Sequence, residues 1–456
     1  MDPADLGASE LSAFFATGEL SPIDAVEAAL ARIERMNPVL NAVVTLDCEG
    51  ARASARASSE RWANQAALGP LDGVPVTIKD NLLVAGMRAT WGSRLYADFV
   101  PDADELPVAR LRAAGAVILG KTNVPELTLQ GYTDNQLFGP SRNPFNPALT
   151  PGGSSGGAVA SVASGMAPLA LGTDGGGSIR RPASHTGLFG LKPTIGRVAR
   201  ADGFPAILHD FEVVGPIARN LDDIELAMSV LAGPDLRDSA SLAWPIWRRP
   251  RATKSPEKQR ILFISQFEAS PVDPEVGASV DQAVQTFEDL GHCVESGSLD
   301  FAVDKLARIF AVVPQAGVAW LLRASGKDPQ QLTPAIRAIA HDGAASTAAE
   351  YVEVLALANE LKRALAATFE RFDAVLTPAA AALPWPADRS HPEEIDGLPV
   401  GPRGHAVFTS FANISGCPGL ALPCAPSRSG LPIGLQLVGP WGSDEELVSL
   451  GRSLTG

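Results

Sequence analysis

Two short loops of glycine and serine hold the residue types most suited to chemistry: Gly152-Gly153-Ser154-Ser155-Gly156-Gly157 and Gly175-Gly176-Gly177-Ser178-Ile179-Arg180. Three successive glycines free the backbone for dihedrals that other residues avoid. Their N–H groups can then converge on one point and form an anion-binding nest. Acyl transfer needs such a nest where its tetrahedral intermediate carries negative charge. Ser178 directly follows the nest and is therefore the candidate nucleophile. A serine hydroxyl is a weak nucleophile until a base takes its proton. None of the six histidines lies inside a glycine-rich motif. Lysine can serve instead if burial disfavours its charged form. Lys79 follows the apolar run Val74-Pro75-Val76-Thr77-Ile78 and precedes Asp80-Asn81, which predicts a partly buried ammonium.

The elements that must position these groups read as α/β. Residues 74–78 form a short strand with Lys79 at its end. A helix over about 108–114 stops at Gly115, and residues 117–119 form a buried strand. A helix of small residues at 158–164 and a strand at 168–171 separate the two loops, so the chain can fold them back toward each other. Upstream, residues 9–36 read as two helices, the second capped by Ser21 with Pro22 in its first turn and Asp24 three residues after the cap. Residues 51–67 read as another helix. Downstream, residues 259–296 look like strand, helix and strand, residues 303–372 are helical, 373–376 form a strand, and the proline-rich stretch 383–402 is a surface loop. The alternation predicts helices covering a sheet, with no repeat and no domain linker.

At this level of detail the chain resembles the amidase signature family. The resemblance is carried by the 152–157 loop, by Gly172-Thr173-Asp174-Gly175-Gly176-Gly177-Ser178-Ile179-Arg180, and by GLFGLKPTIGR at 187–197. Further matching segments are GVPVTIKDN at 73–81, GKTNVP at 120–125, FGPSRNP at 138–144 and the end of the chain over 413–439. It covers most of the sequence. It implies one α/β domain over residues 1–456, a large α/β/α architecture with a mixed central sheet covered by helices on both faces. The catalytic core would span about 70–215, and a helical and loop region at about 300–405 would cover the substrate. It implies Lys79 as base, Ser154 as proton relay after a cis peptide bond, and Ser178 as the acylated nucleophile. The N–H groups of Gly175, Gly176, Gly177 and Ser178 would form the oxyanion hole, braced by Ser155, Asp174 and Arg180. Gly175 stands where many members carry a bulkier residue, a departure expected to loosen the loop. The implied activity is an amidohydrolase acting through an acyl-enzyme on C–N bonds other than peptide bonds, with carbamates and esters within reach. Part of the family works instead as amidotransferase subunits of larger complexes.

Other readings of the same residues compete. Gly152 to Gly156 also satisfies G-x-S-x-G, the nucleophile elbow of a Ser-His-Asp esterase, with His405 as the essential base. That motif needs a preceding strand, whereas residues 146–151 contain two prolines. Gly115 to Thr122 fits G-x-x-x-x-G-K-[ST], but its middle residues are themselves the predicted strand, so they cannot present convergent N–H groups to phosphate.

Composition bounds the partners. The 456 residues are 46% hydrophobic and 19% charged, with a formal net charge of −14. So acidic a chain is repelled by nucleic acid and by anionic lipid. Four cysteines without a CxxC pair read as reduced thiols, with no metal site or cofactor expected. The N-terminus lacks a basic, then apolar, leader, and no uninterrupted apolar run reaches about 18 residues, so the expected location is cytoplasmic. The expected partner is a small-molecule amide; a homodimer is compatible with the sequence. The acyl pocket is expected from Thr128, Leu129, Gln130, Gly131 and Tyr132, from residues 198–211, and from about 310–345 and 380–405. Trp320, Trp385, Phe204 and Phe211 would give it an aromatic lining suited to aryl or aliphatic amides.

Overall fold

The computed structural model describes residues 2–248 and 258–455. The strands in chain order are β1 Val43–Leu46, β2 Pro75–Lys79, β3 Val117–Thr122, β4 Leu169–Asp174, β5 Phe189–Lys192, β6 Val213–Ala218, β7 Arg260–Phe263, β8 Cys293–Ser296, β9 Ala374–Pro378, β10 Glu394–Ile395, β11 Leu398–Pro399, β12 Gly419–Pro423 and β13 Gly434–Val438. Eleven of them form one mixed sheet in the order β1-β3-β2-β4-β6-β5-β12-β13-β9-β7-β8; β10 and β11 pair as a separate ribbon. β3, β2 and β4 run parallel. β6, β5, β12 and β13 join by antiparallel pairing, and β9, β7 and β8 are again parallel. This is the single α/β domain expected, with a larger sheet than the sequence reveals.

Alternation along the buried strands puts a core on each face. On β3, Val117 and Leu119 pack with Val26, Leu30 and Ile33 of the helix Pro22–Leu40, whereas Ile118 joins the opposite cluster. On β4, Leu169 and Leu171 share that opposite cluster with Ile224, Met228 and Leu231 of the helix Leu221–Leu231. Ala170 instead meets Ala158, Val159 and Val162 of the helix Gly156–Ala163. Helix starts follow local chemistry. Ser21 accepts from the Asp24 N–H, and Asp24 reaches back to the Ser21 N–H at 2.8 Å. The helical stretch resolves into three helices, Val303–Ser325, Pro334–Ala345 and Ala348–Arg371. The first is long and apolar enough to cross a membrane by length and composition alone. Its Leu306, Ile309, Val313, Val318 and Leu321 face the interior of the fold.

Candidate active site

The parallel strands β2 and β4 lie side by side, so their carboxyl ends open on the same edge, the usual place for a site in an α/β sheet. Lys79 ends β2 and Asp174 ends β4. The chain reaches the edge a third time at the Gly152–Gly157 loop. From there the helix Gly156–Ala163 leads away and β4 returns. The two glycine-serine loops therefore meet: the Ser155 N–H donates to the Ser178 carbonyl at 3.2 Å, and the Ser155 hydroxyl donates to the Thr173 carbonyl at 3.2 Å. The Gly153–Ser154 peptide bond is cis.

Lys79 is fully buried, more so than its flanking residues suggest. Its Nζ lies 2.8 Å from Ser154 Oγ, 2.8 Å from Thr173 Oγ1 and 3.0 Å from the Thr173 carbonyl. Burial pushes its ammonium down from 10.5 to about 7, against the opposing pull of Glu212 and Asp174. The hydrogen-bond directions follow from that. The Thr173 hydroxyl donates to Glu212 Oε2 at 3.3 Å and receives Asn81 Nδ2 at 3.0 Å. It can therefore only accept from Lys79, as the Thr173 carbonyl must. A neutral amine has two N–H groups and one lone pair. Thr173 takes both N–H groups, and the lone pair is left facing the Ser154 hydroxyl.

Ser178 sits at the rim of a cavity of about 550 Å³. Among the described residues its hydroxyl has no hydrogen-bond partner, so the link from Ser154 to Ser178 is not closed without substrate. Catalytic contacts commonly tighten only once substrate is bound. The loop before it is folded around the Asp174 carboxylate. Gly177 N donates to Oδ1 at 2.6 Å and Ile179 N to Oδ2 at 3.1 Å. The Gly177 N–H, expected as one of four oxyanion donors, is thus spent on Asp174. Gly177 has φ of +113°, and a Cβ there would collide with Thr409. Leu208 fills the side of Gly175, 2.5 Å from where a Cβ would stand.

Asp174 and Arg180 are both fully buried and pair in a fork, Nε to Oδ2 and Nη2 to Oδ1, each at 3.0 Å. Burial raises the Asp174 carboxyl, but Arg180 and the Asn413 amide overcome it and hold it far below the usual carboxylate range. Arg180 also donates to the Thr409 carbonyl, Gln436 Oε1 and Asn413 Oδ1. Two distant segments, 409–413 and the strand holding Gln436, are thereby fixed on one ion pair, and the pair braces the loop. Thr173, Asn81, Glu212, Thr409, Asn413 and Gln436 were not singled out by sequence reasoning. Thr173 was within reach of it, since it directly precedes Asp174 at the end of β4.

The pocket wall includes Thr128, Leu129, Gln130, Gly131 and Tyr132 as expected, with Leu208, Phe310, Pro314, Ala335, Ile339 and His405. The expected aromatic lining is not there. Trp320 faces outward at 44% exposure, Phe204 stacks on Trp91 at 4.7 Å in another cluster, and Phe211 lies behind Phe310. Trp385 is buried behind His405, its ring edge-on at 4.6 Å. The aromatic part of the wall is Tyr132 together with Phe310, which the sequence did not single out. His405 offers no base. Among the described residues neither ring nitrogen has a hydrogen-bond partner, and burial, then the charge of Arg181, pushes its titration well below the ordinary value. The Ser-His-Asp reading therefore falls. The P-loop reading falls as well: residues 117–122 are β3, and Lys121 is buried in an ion pair with Asp80 at 3.1 Å.

A family model described as Amidase matches residues 24–448. A glutamyl-tRNA(Gln) amidotransferase subunit of Moorella thermoacetica is 37% identical over 95% of this chain and 93% of its own length. The corresponding protein of Thermus thermophilus, which carries the same description, is 35% identical over 97% and 95%. Among solved structures, a bacterial aryl acylamidase of the amidase signature enzymes superposes with a TM-score of 0.90 at 30% identity, covering 98% of this chain and 95% of that one. A structure described as a vestigial protein complex revealing the evolutionary origins of an s-triazine catabolic enzyme gives 0.92 at 30% identity, covering 99% and 98%.

Proposed function

Because this chain belongs to the amidase signature family, we propose that it hydrolyses the C–N bond of a carboxamide through an acyl-enzyme on Ser178. One observation carries the reading: a fully buried lysine amine, pushed down to about 7, lies 2.8 Å from the Ser154 hydroxyl with its donors already engaged by Thr173. Near neutral pH such an amine is a base. It draws the Ser154 proton as Ser154 draws that of Ser178. Ser178 Oγ attacks the carbonyl carbon, and the N–H groups of Gly175, Gly176 and Ser178 receive the oxyanion. The proton passes back through Ser154 to the leaving nitrogen, and the C–N bond breaks. Water then adds to the acyl carbon by the same relay, releasing the acid and restoring Ser178. The catalytic core at about 70–215 supplies these groups, and the segments at about 300–405 supply the cover, of which Phe310, Pro314 and Ile339 are the apolar part. An aryl or aliphatic acyl group suits those walls, and carbamates and esters pass through the same chemistry. Ser178→Ala is expected to lower kcat by at least about 10³-fold; turnover within tenfold of the parent would exclude Ser178 as nucleophile.

A second reading has its own support. The curated relatives at 33–37% identity are described as amidotransferase subunits, so the same acyl-enzyme chemistry could serve a multi-subunit complex. Hydrolysis of simple amides by the purified chain alone favours the free hydrolase; activity that emerges only with added partner chains favours the second.

A further inference from the structure

We infer that the amide cleaved at this site carries a carboxylate on the part that fills the cavity, received by Arg181 and Arg403. The inference rests on the reading of Ser178 as the nucleophile facing that cavity. Both arginines line it together with Ser178, Gly175 and Gly176. They flank consecutive residues of the loop that leads to the nucleophile. Arg181 Nη1 lies 3.0 Å from where a Gly177 Cβ would stand, and Arg403 Nη2 lies 3.8 Å from the corresponding point at Gly176.

Neither guanidinium is neutralised. Among the described residues neither forms an ion pair, and no Asp or Glu lines the cavity. Asp174, which contributes to the field at Arg181, is itself held by the fork of Arg180. Arg181 is 4% exposed. It donates to the Gly176 carbonyl at 2.6 Å and to Thr409 Oγ1 at 3.2 Å, but its Nε has no partner. Arg403 is exposed at the rim and stacks over the Phe310 ring at 4.4 Å, its only contact of this kind among the described residues. Burial, then the like charge of Arg403, pushes Arg181 down to about 9.

Two adjacent cations held without a counter-ion are costly unless an anion joins them. In a chain of net charge −14, a local positive pair is also what lets an anionic substrate approach. Between this pair and the opposite wall, Leu129, Leu208, Pro314 and Ile339 offer apolar surface. The ligand class is therefore an amide with a short apolar stem and a carboxylate. A zwitterionic amino-acid amide would leave its ammonium without an acidic partner, so the anion alone fits better.

The test uses binding, so that it does not depend on turnover. Full-length protein carrying Ser178→Ala is titrated calorimetrically with the mono-p-nitroanilide of glutaric acid and with its methyl ester, then with glutaramate and glutamine. The acid is expected to bind at least about tenfold more tightly than the ester, and glutaramate more tightly than glutamine. Adding Arg403→Gln should reduce the acid-to-ester ratio by about tenfold, whereas Arg403→Lys should retain most of it. Arg403 is at the rim, so these variants do not disturb the core as an Arg181 variant would. Equal affinity for acid and ester, or tighter binding of glutamine than of glutaramate, overturns the inference. A clear acid preference together with turnover that survives Ser178→Ala would leave the anion site standing and remove the nucleophile assignment.

Discussion

Replacing Lys79 by Met should abolish activity and yet make the protein more stable at neutral pH. The ammonium falls from an ordinary 10.5 to about 7 in the folded chain. At about 1.4 kcal/mol per pH unit, that displacement is a folding cost of about 5 kcal/mol. The sign follows from proton counting. Between pH 7 and 10.5 the unfolded chain holds a proton that the folded chain does not, so stability rises with pH across this window. The cost is fully present below about pH 7 and vanishes above 10.5. Met has nearly the same length and no charge, so it removes the cost. It also removes one hydrogen bond each from the Thr173 carbonyl, the Thr173 hydroxyl and the Ser154 hydroxyl, at about 0.5–1.5 kcal/mol each, while Ser155, Asn81 and Glu212 still partner Thr173. The net at about pH 7 is a gain of about 0.5–3.5 kcal/mol for Lys79→Met. Urea titrations of both proteins at about pH 7, 8, 9 and 10 read the difference directly. Wild type should gain on the variant by about 1.4 kcal/mol per unit, and the order should reverse toward about pH 10. A difference that does not change with pH would refute the burial of an uncharged lysine.

Other perturbations address the parts around it. Glu212→Gln removes the carboxylate that draws the Lys79 titration upward, so the alkaline-rising limb of the activity profile should move about one unit toward lower pH; an upward move would contradict the assignment. Arg180→Leu leaves the Asp174 carboxylate buried and unpaired and should cost about 3–5 kcal/mol in denaturant unfolding, whereas a loss below about 1 kcal/mol would show that the pair does not brace the loop. Gly177→Ala forces a side chain into Thr409 at positive φ. It should lower kcat by at least about 10²-fold while the strongest substrate contacts remain, read as a kcat loss larger than any change in KM.

How far the fold could be read from residues depended on the kind of signal. β2, β3 and β4 were visible because each is a short apolar run closed by glycine or a charged residue, and a strand buried on both faces looks like that. β6 was not. It contains Gly215 and Pro216, which argue against a central strand, yet it lies between β4 and β5 with Pro216 opposite Leu171. Tertiary packing overrides the propensity there. The helix Gly156–Ala163 begins two residues earlier than its composition suggests, because Gly156 and Gly157 fit the crowded helix start and are not merely part of a loop. Lys79, Ser154 and Ser178 were legible because their spacing is carried by motifs. The braces Asn413 and Gln436 reach Asp174 and Arg180 from more than two hundred residues away, a distance that no local pattern spans. The cavity wall was partly legible by segment and not by residue. Phe310 and Trp320 lie on one helix, and only its packing decides which of them faces the substrate.

The central claim is that an uncharged Lys79 drives acylation of Ser178 through Ser154. The rate of covalent modification of Ser178 by a sulfonyl fluoride, followed by intact-protein mass against pH, measures that step without product release. The rate should rise with pH through an inflection near 7, and Lys79→Ala should remove both the inflection and most of the rate. An identical inflection in Lys79→Ala, or a flat profile in the parent protein, would contradict it.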